Sequence, residues 1–498
     1  MKPRFSKWRS FLWPIHRHEL KKVLPMLAMF FLIAFNYTIL RNAKDTLLVT
    51  APGSGAEVIP FIKLWVVLPM AILFMIIYAN LSNSLSKQSL FYAALIPFLC
   101  FFGIFGYILY PLRDMLHPHL SADTLQTILP AGLKGLVAIY RNWTFALFYA
   151  MSELWGSVML SLVFWGFANQ ITQVSEAKRF YNLFGLGGNS APIFAGLFTV
   201  HASQIDLSVS KAEAYTAPIQ LLCMTVILVG ILIAVGYFLI NRYILTDPLL
   251  YDQRISPPTK DKLKMSLKES FLFLAKSKYI GCLALLVIAY GVSINLIEVN
   301  WKNQVKLQYT NANDYASFMG YFSTWTGIAS FLMVFFVGGN VIRRFGWTTA
   351  AMITPIVLLI TSVAFFTFIL FRDPIGPFVA FFGLSPLMLA VVFGSIQNII
   401  SKSAKYSLFD PTKEMAYIPL DEESKVKGKA AIEVVGSRFG KSGGAFIQQG
   451  LLLLFGTIDA IAPFVAVVMI GVIICWMLAA RSLGRQFASR AREEVYEH

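Results

Sequence analysis

Long apolar segments recur along the whole chain, and they restrict its fold more than any other feature. A transmembrane helix needs about 20 consecutive, mostly apolar residues, and twelve such windows can be placed here. Hydrophobic residues make up 57% of the 498 positions and charged residues only 14%, which excludes a soluble globular protein. We therefore predict an all-α, polytopic membrane protein. The predicted spans are 23–41, 59–80, 89–110, 144–168, 182–203, 217–241, 279–299, 316–341, 348–370, 376–401, 430–456 and 459–480.

The positions of the basic residues predict the orientation of these spans. A net charge of +16 would by itself be compatible with nucleic-acid binding. However, 30 of the 42 Lys and Arg residues fall in the N-terminal segment, the even-numbered loops and the C-terminal tail. Loops rich in Lys and Arg remain in the cytoplasm. The sequence therefore predicts cytoplasmic termini and no nucleic-acid partner.

The basic, polar loop 242–278 divides the spans into two groups of six. It predicts two helix bundles, 23–241 and 279–480. A basic amphipathic segment, 1–22, precedes them and would lie on anionic lipid, and a cytoplasmic tail, 481–498, follows them. A weak internal repeat supports two related halves. The Gly-bracketed Arg loop GGNVIRRFGWTTA after the eighth span resembles the signature loop of the major facilitator superfamily, so we predict a major-facilitator-like fold.

Charged residues inside apolar segments are the main functional candidates, because burying one charge in a membrane costs about 2.5–3.5 kcal/mol. In 426–450, Glu433, Arg438 and Lys441 interrupt an apolar run. The string GSRFGKS has three residues between its glycines where a P-loop has four, and no strand precedes it, which argues against a P-loop ATPase. Arg438 and Lys441 share a helix face, where they would bind an anion or pair with Glu433.

A second group of cations surrounds the first loop. Arg41 and Lys44 share a face at the end of the first span, Asp45 can pair with Arg41 at i,i+4, and Lys63 begins the second span. Three basic groups at one mouth predict an anion funnel. The alternative is ordinary anchoring at the lipid headgroups.

Two glutamates also lie within spans. Glu153 occupies the fourth span, and Glu298 closes the seventh, with Lys302 one turn further on as a local partner. A carboxylate at such a depth must be paired, protonated or in contact with water. The nearby Trp155, Tyr290 and Asn300 are candidate contacts for a planar base, although membrane aromatics more often serve packing.

The sequence contains no pattern of a metal site, a cofactor site or an enzyme active site. The four cysteines and six histidines lack ligand spacing. A membrane-embedded phosphotransferase would need a nucleophile, a base or metal ligands near the phosphates, and the spans contain no such cluster. Transport is therefore favoured over catalysis.

Several strings resemble, in content and order, the ATP/ADP translocase family of obligate intracellular bacteria and plastids. The resemblance runs from FLWPIH at 11–16 to the last span. The most specific strings are NYTILRNAKDTLLV, ELWGSVMLSLVFWGFANQIT, EAKRFYNLFG, VIAYGVSINLIEVNWK, KYSLFDPTKEMAYIPL and VKGKAAIEVVGSRFGKSGGAFIQQG. One departure is Asn42-Ala43, where the family usually has Asp-Thr.

The resemblance implies a twelve-helix carrier in the bacterial inner membrane that exchanges internal ADP for host ATP without a cofactor. It implies ATP and ADP as substrates, membrane lipid as surroundings and inorganic phosphate as a candidate co-substrate. Two lysines and two glutamates are essential in the family. By motif these fall on Lys44, Glu153 and Glu298, with the second lysine at Lys441 in preference to Lys427 or Lys429.

The charges found in the apolar spans fit this expectation. A nucleotide di- or triphosphate carries roughly −3 to −4 and needs several fixed cations in a partly desolvated cavity. Lys44, Lys441 and Arg438 would bind the phosphates, and Glu153 and Glu298 would be counter-charges that the phosphates replace. Proton-coupled import of nucleoside triphosphates, with either glutamate titrating, remains an open alternative on the same fold.

Overall fold

The computed structural model describes residues 15–16, 19–172, 174–205, 214–246, 269, 277–420, 424, 428–429, 431–432, 436 and 440–496. Most of the predicted N-terminal segment and of the central linker therefore lies outside the described residues. Every regular element in the described part is a helix. The predicted all-α class is confirmed.

Eleven helices of the described part are long and apolar enough to cross a membrane. A twelfth, shorter apolar helix, Lys441–Phe455, has 15 residues, because the first part of the predicted span 430–456 lies mostly outside the described residues. The multi-pass architecture is thus confirmed, whereas the count of twelve spans is not. In chain order the helices are α1 Leu20–Val49, α2 Val58–Ser84, α3 Lys87–Leu109, α4 Trp143–Ile171, α5 Val174–Ser203, α6 Thr216–Ile244, α7 Lys278–Gln308, α8 Ala312–Val337, α9 Asn340–Leu370, α10 Pro386–Met415, α11 Lys441–Phe455 and α12 Ile458–Tyr496.

Four helices run well beyond their predicted ends. The expected ends were 41 for α1, 299 for α7, 401 for α10 and 480 for α12, but these helices continue to Val49, Gln308, Met415 and Tyr496. Hydropathy ends a span where charged residues begin, and in α1 and α7 this rule fails because the charges are paired inside the protein. Asp45 of α1 and Lys302 of α7 form such a pair, with 2.8 Å between Oδ2 and Nζ.

Because Asp45 and Lys302 both lie near the ends of their helices, the same ion pair brings the C-terminal ends of α1 and α7 together. We call this end of the bundle the distal end. Arg372, just after α9, donates a hydrogen bond to Gln304 of α7 at 2.6 Å, so α9 also ends there. We refer to α1–α6 as the first half and to α7–α12 as the second half.

The two halves approach closely where α5 crosses α8. A Cβ atom on Gly196 of α5 would collide with the Gly320 carbonyl and with Thr324 of α8. Small residues at helix crossings in membranes allow this close backbone approach. The crossing fixes the two halves side by side next to α1.

An insertion between α3 and α4 covers part of the distal end. It contains two short helices, His119–Ile128 and Lys134–Arg141. Arg141 forms an ion pair with Asp123, and its guanidinium lies against Gly53, whose φ of +65° suits glycine. The turn Ala131–Leu133 packs against Leu452 of α11 in the second half, so the insertion contacts both halves.

The insertion also holds a buried histidine beside the start of α4. The Nε2 atom of His117 lies 2.7 Å from the Thr144 hydroxyl. Burial, with smaller effects from His119 and Arg113, lowers the pKa of His117 from its usual 6.5 to about 4. The folded protein therefore binds fewer protons here than the unfolded chain between those two pH values, so acidification through this window reduces stability.

We predict that His117→Gln makes the thermal stability less dependent on pH. The parent protein should lose stability as pH falls from about 6.5 towards 4, whereas the neutral glutamine removes this contribution. Unfolding midpoints of the purified protein in detergent, measured across that range, provide the comparison. Parallel curves for the two proteins would show that His117 is not buried in its neutral form.

Candidate functional site

Six charged side chains form a continuous network near the distal end. Glu153 contacts Lys44 at 3.0 Å, and Lys44 contacts Asp45 at 2.9 Å. Asp45 continues to Lys302 at 2.8 Å, and Lys302 to Glu298 at 3.1 Å. At the far end of this network, Glu298 lies 3.7 Å from the Lys63 ammonium. Cations and anions alternate throughout.

The network is electrically neutral and graded in exposure. It contains three lysines and three carboxylates, so the charges sum to zero when all are ionised. Its centre, Lys44, Asp45 and Lys302, is buried, with side chains at most 2% exposed. The side chains of Glu153, Glu298 and Lys63 are 29%, 17% and 20% exposed. The flanking charges are therefore the ones that a solute can reach.

Helix geometry places these residues together. Lys302 follows Glu298 by one turn, so the two share a face of α7. Lys302 lies about six residues before the end of α7, roughly 9 Å along its axis, and Asp45 lies at a similar depth in α1. Helix α4 contributes Glu153, and α2 contributes Lys63. The site thus combines helices from both halves.

Two of the ion pairs join the halves directly. Asp45 of α1 binds Lys302 of α7, and Lys63 of α2 approaches Glu298. Lys63 also donates a hydrogen bond to Oδ1 of Asn295 at 2.7 Å. Any motion that separates α1 and α2 from α7 at the distal end must break these contacts.

An aromatic ring supports the buried centre. The ammonium of Lys44 lies 3.8 Å from the centre of the Tyr149 ring, within the distance of a cation–π interaction. Lys44 thus interacts with Glu153, Asp45 and this ring. Removing any one partner would leave a buried charge incompletely compensated.

Several predicted site residues meet in this network. Lys44, Lys63, Glu153 and Glu298 all belong to it, and the predicted contact between Glu298 and Lys302 is confirmed. The predicted partner of Asp45 is wrong: its carboxylate binds Lys44 and Lys302 instead of Arg41. Long-range pairing with α7 replaces the local i,i+4 contact.

Most of the charged candidates in the segment before α11 lie outside the part of the chain that the structure describes. Glu433, Arg438 and Lys427 lie outside the described residues, as does the side chain of Lys441, the first residue of α11. Lys429 binds Glu414 at 2.7 Å. Their roles stay predictions.

The three candidate base contacts have different surroundings. Trp155 is buried, and its indole N–H donates to the Ile33 carbonyl at 3.2 Å, as in the packing alternative considered above. Asn300 is buried and donates to the Leu296 carbonyl at 2.8 Å. Tyr290 is partly buried and stacks on Phe409, with 4.9 Å between ring centres. A base contact at any of them stays a prediction.

Sequence reasoning underrated three residues. Asp45 and Lys302 were considered only as local partners, but they are the buried link between the halves. Lys402 was assigned to a cytoplasmic loop, whereas it lies within α10. The available signal for Lys302 was its position one turn after Glu298, at the end of an apolar run.

Within the described ranges, no three His, Cys, Asp or Glu residues are arranged to hold a metal ion.

Comparison with known proteins identifies the family. A family model described as TLC ATP/ADP transporter matches residues 1–487. The chain belongs to the TLC ATP/ADP transporter family. It is 59% identical to ADP,ATP carrier protein 1 of Chlamydia pneumoniae over 98% of this chain and 95% of that protein. It is 51% identical to the chloroplastic ADP,ATP carrier protein 1 of Arabidopsis thaliana, covering 96% of this chain and 76% of that one.

Solved structures place this TLC family member among known transporter folds. A bacterial homologue of the iron transporter ferroportin, crystallised in an inward-facing state, matches with a TM-score of 0.57. The match covers 94% of this chain and all of that one at 14% sequence identity. A bacterial metal transporter matches with a TM-score of 0.53 at 13% identity, covering 92% of this chain and 97% of that one. The predicted major-facilitator-like architecture is confirmed.

We predict that Asp45→Asn destabilises this TLC transporter more than the double variant Asp45→Asn/Lys302→Gln. Removing the carboxylate alone leaves two buried lysines poorly compensated, and breaking a buried ion pair from one side typically costs about 3–5 kcal/mol. Removing Lys302 as well restores the neutrality of the network, in which Lys44 and Lys63 then face Glu153 and Glu298. Unfolding midpoints of the single variants and the double variant form a double-mutant cycle. Additive losses would contradict an energetic link between Asp45 and Lys302.

Proposed function

We propose that this protein is a membrane antiporter that exchanges external ATP for internal ADP. The observation that carries the proposal is the near full-length similarity to proteins named ADP,ATP carrier. A transporter-type fold with a charged site between two halves supports it. The protein acts as a carrier rather than as an enzyme.

Alternating access would be controlled by the ion pairs that join the halves. In this structure, Asp45–Lys302 and Lys63–Glu298 hold α1 and α2 against α7 at the distal end. A state that is open at the distal end requires these two ion pairs to separate, and their separation exposes the buried centre of the network. Such separation is unfavourable unless another group compensates the released charges. A bound nucleotide is the natural compensating group for an exchanger.

The exposed members of the network would respond first to an arriving nucleotide. Glu153 and Glu298 are the accessible carboxylates, and each contacts a lysine. Phosphate oxygens that approach Lys44 or Lys63 would compete with these glutamates. Because an empty carrier would restore the ion pairs, it would reorient reluctantly, as obligate exchange requires.

The predicted substrate contacts extend this scheme. Lys44, Lys63 and Arg41 would meet the phosphates together with Arg438 and Lys441. For the base, Tyr290 presents a partly exposed ring, while Trp155 and Asn300 would need to rearrange. Inorganic phosphate would be a co-substrate only if it accompanies ADP.

The membrane location and topology belong to the same proposal. The protein would lie in the bacterial inner membrane, with both termini and the 242–278 linker in the cytoplasm. The two six-helix bundles, 23–241 and 279–480, would be the moving units. The distal end would then face the exterior, the side from which ATP arrives.

We predict that labelled ATP enters proteoliposomes preloaded with ADP but not empty ones. Uptake should not need a proton gradient, because the exchanged nucleotide drives reorientation. Empty vesicles that fill when a proton gradient is imposed would overturn exchange in favour of proton-coupled import.

In the same assay Glu298→Gln should reduce exchange at least about tenfold, whereas Glu414→Gln, which changes a carboxylate outside the network, should not.

A further inference from the structure

Two additional cations lie next to the neutral network. Arg41 of α1 and Lys402 of α10 are both partly buried inside membrane helices. Neither has a carboxylate within ion-pair distance among the residues that the structure describes. Lys402 is within electrostatic range of Arg41, which repels it, and of Glu298 and Asp45, which attract it from beyond ion-pair distance. This region therefore carries two positive charges that the network does not neutralise.

The surroundings of Lys402 compensate its charge poorly. Its ammonium lies 4.9 Å from the centre of the Phe322 ring. A cation–π interaction of this kind contributes about 0.5–2 kcal/mol, which is less than the cost of about 2.5–3.5 kcal/mol for a charge in a membrane helix. An anion is needed to stabilise the pair.

The geometry brings Arg41 and Lys402 to the boundary between the halves. Phe322, which contacts Lys402, precedes Ser323 in α8, and Ser323 donates a hydrogen bond to Oδ1 of Asn42 at 2.9 Å. Asn42 directly follows Arg41 in α1. Helix α8 thus connects the two cations, one from each half. Arg41 also lies one turn further from the distal end than Asp45.

We propose that Arg41 and Lys402 form a polyphosphate site shared by the two halves, one turn inward from the neutral network. The inference rests on the proposed nucleotide exchange and names where the phosphates bind. Two cations without acidic partners among the described residues attract a di- or triphosphate without first displacing a carboxylate. The neutral network lies between this site and the distal end, so its release gives the substrate access to the Arg41–Lys402 site between the halves.

This assignment predicts opposite effects on stability and on binding. Replacing Lys402 by glutamine removes a poorly compensated, partly buried charge, so the empty protein should gain thermal stability. The same change should weaken binding of ADP and ATP about tenfold or more and diminish the stabilisation that these ligands give. Adenosine, which lacks phosphate, should bind equally well to both proteins.

The test uses the purified full-length protein, with Lys402→Gln and Arg41→Gln compared with Lys413→Gln. Lys413 is a matched control, since it is a lysine of the same helix paired with Glu414 at 3.4 Å. Calorimetric titrations with ATP, ADP, adenosine and tripolyphosphate, together with unfolding midpoints, give the readout. Lys402→Arg keeps the charge and should retain most of the ADP affinity. If the glutamine variant does not fold, the arginine variant is compared with the unaltered protein instead.

Two results would overturn the site. One is wild-type affinity of Lys402→Gln for ADP and ATP. The other is an equal loss of adenosine and nucleotide binding, which would indicate a general structural effect rather than phosphate contact. Failure of the proposed function is distinguishable, because the unaltered protein would then show no ADP-driven uptake of ATP in proteoliposomes, whatever its affinity for the nucleotides.

Discussion

Charged side chains are stable among membrane helices only when each is compensated, and Lys44, Asp45 and Lys302 meet this condition only together. Asp45 lies between two ammonium groups at 2.9 and 2.8 Å, and each lysine has a second carboxylate partner. Since Asp45 and Lys302 come from different halves, the condition also fixes how the halves meet. The close α5–α8 crossing and the distal insertion add to this arrangement, but they do not replace it.

The neutral network suits one task, and the nearby cations that have no carboxylate partner in the described part of the chain suit another. The network can close without a substrate, because its charges already cancel. Arg41 and Lys402 are stabilised only when an anion arrives, so they distinguish a loaded carrier from an empty one. A carrier built this way couples the occupancy of its centre to the contact between its halves. This coupling is the physical basis of exchange in our account.

Sequence patterns located the helices and the chemistry better than the contacts. Apolar windows identified the spans because hydropathy reports exposure to lipid, and the i,i+4 spacing identified the Glu298–Lys302 pair. The same reasoning ended α1, α7 and α10 too early, because it treats charges as solvated. It also paired Asp45 with Arg41, since local spacing carries no information about Lys302, more than half the chain away. Lys402 was missed because it follows the hydropathy boundary of α10.

The central claim is that the network holds the halves together at the distal end and that nucleotide releases it. Spin labels at Leu120 and Phe378, exposed positions at this end of the first and second halves, would report their separation in a variant without native cysteines. We expect one short distance in the empty protein and a longer population after adding ATP or introducing Asp45→Asn. An identical distance distribution in all three samples would contradict the account.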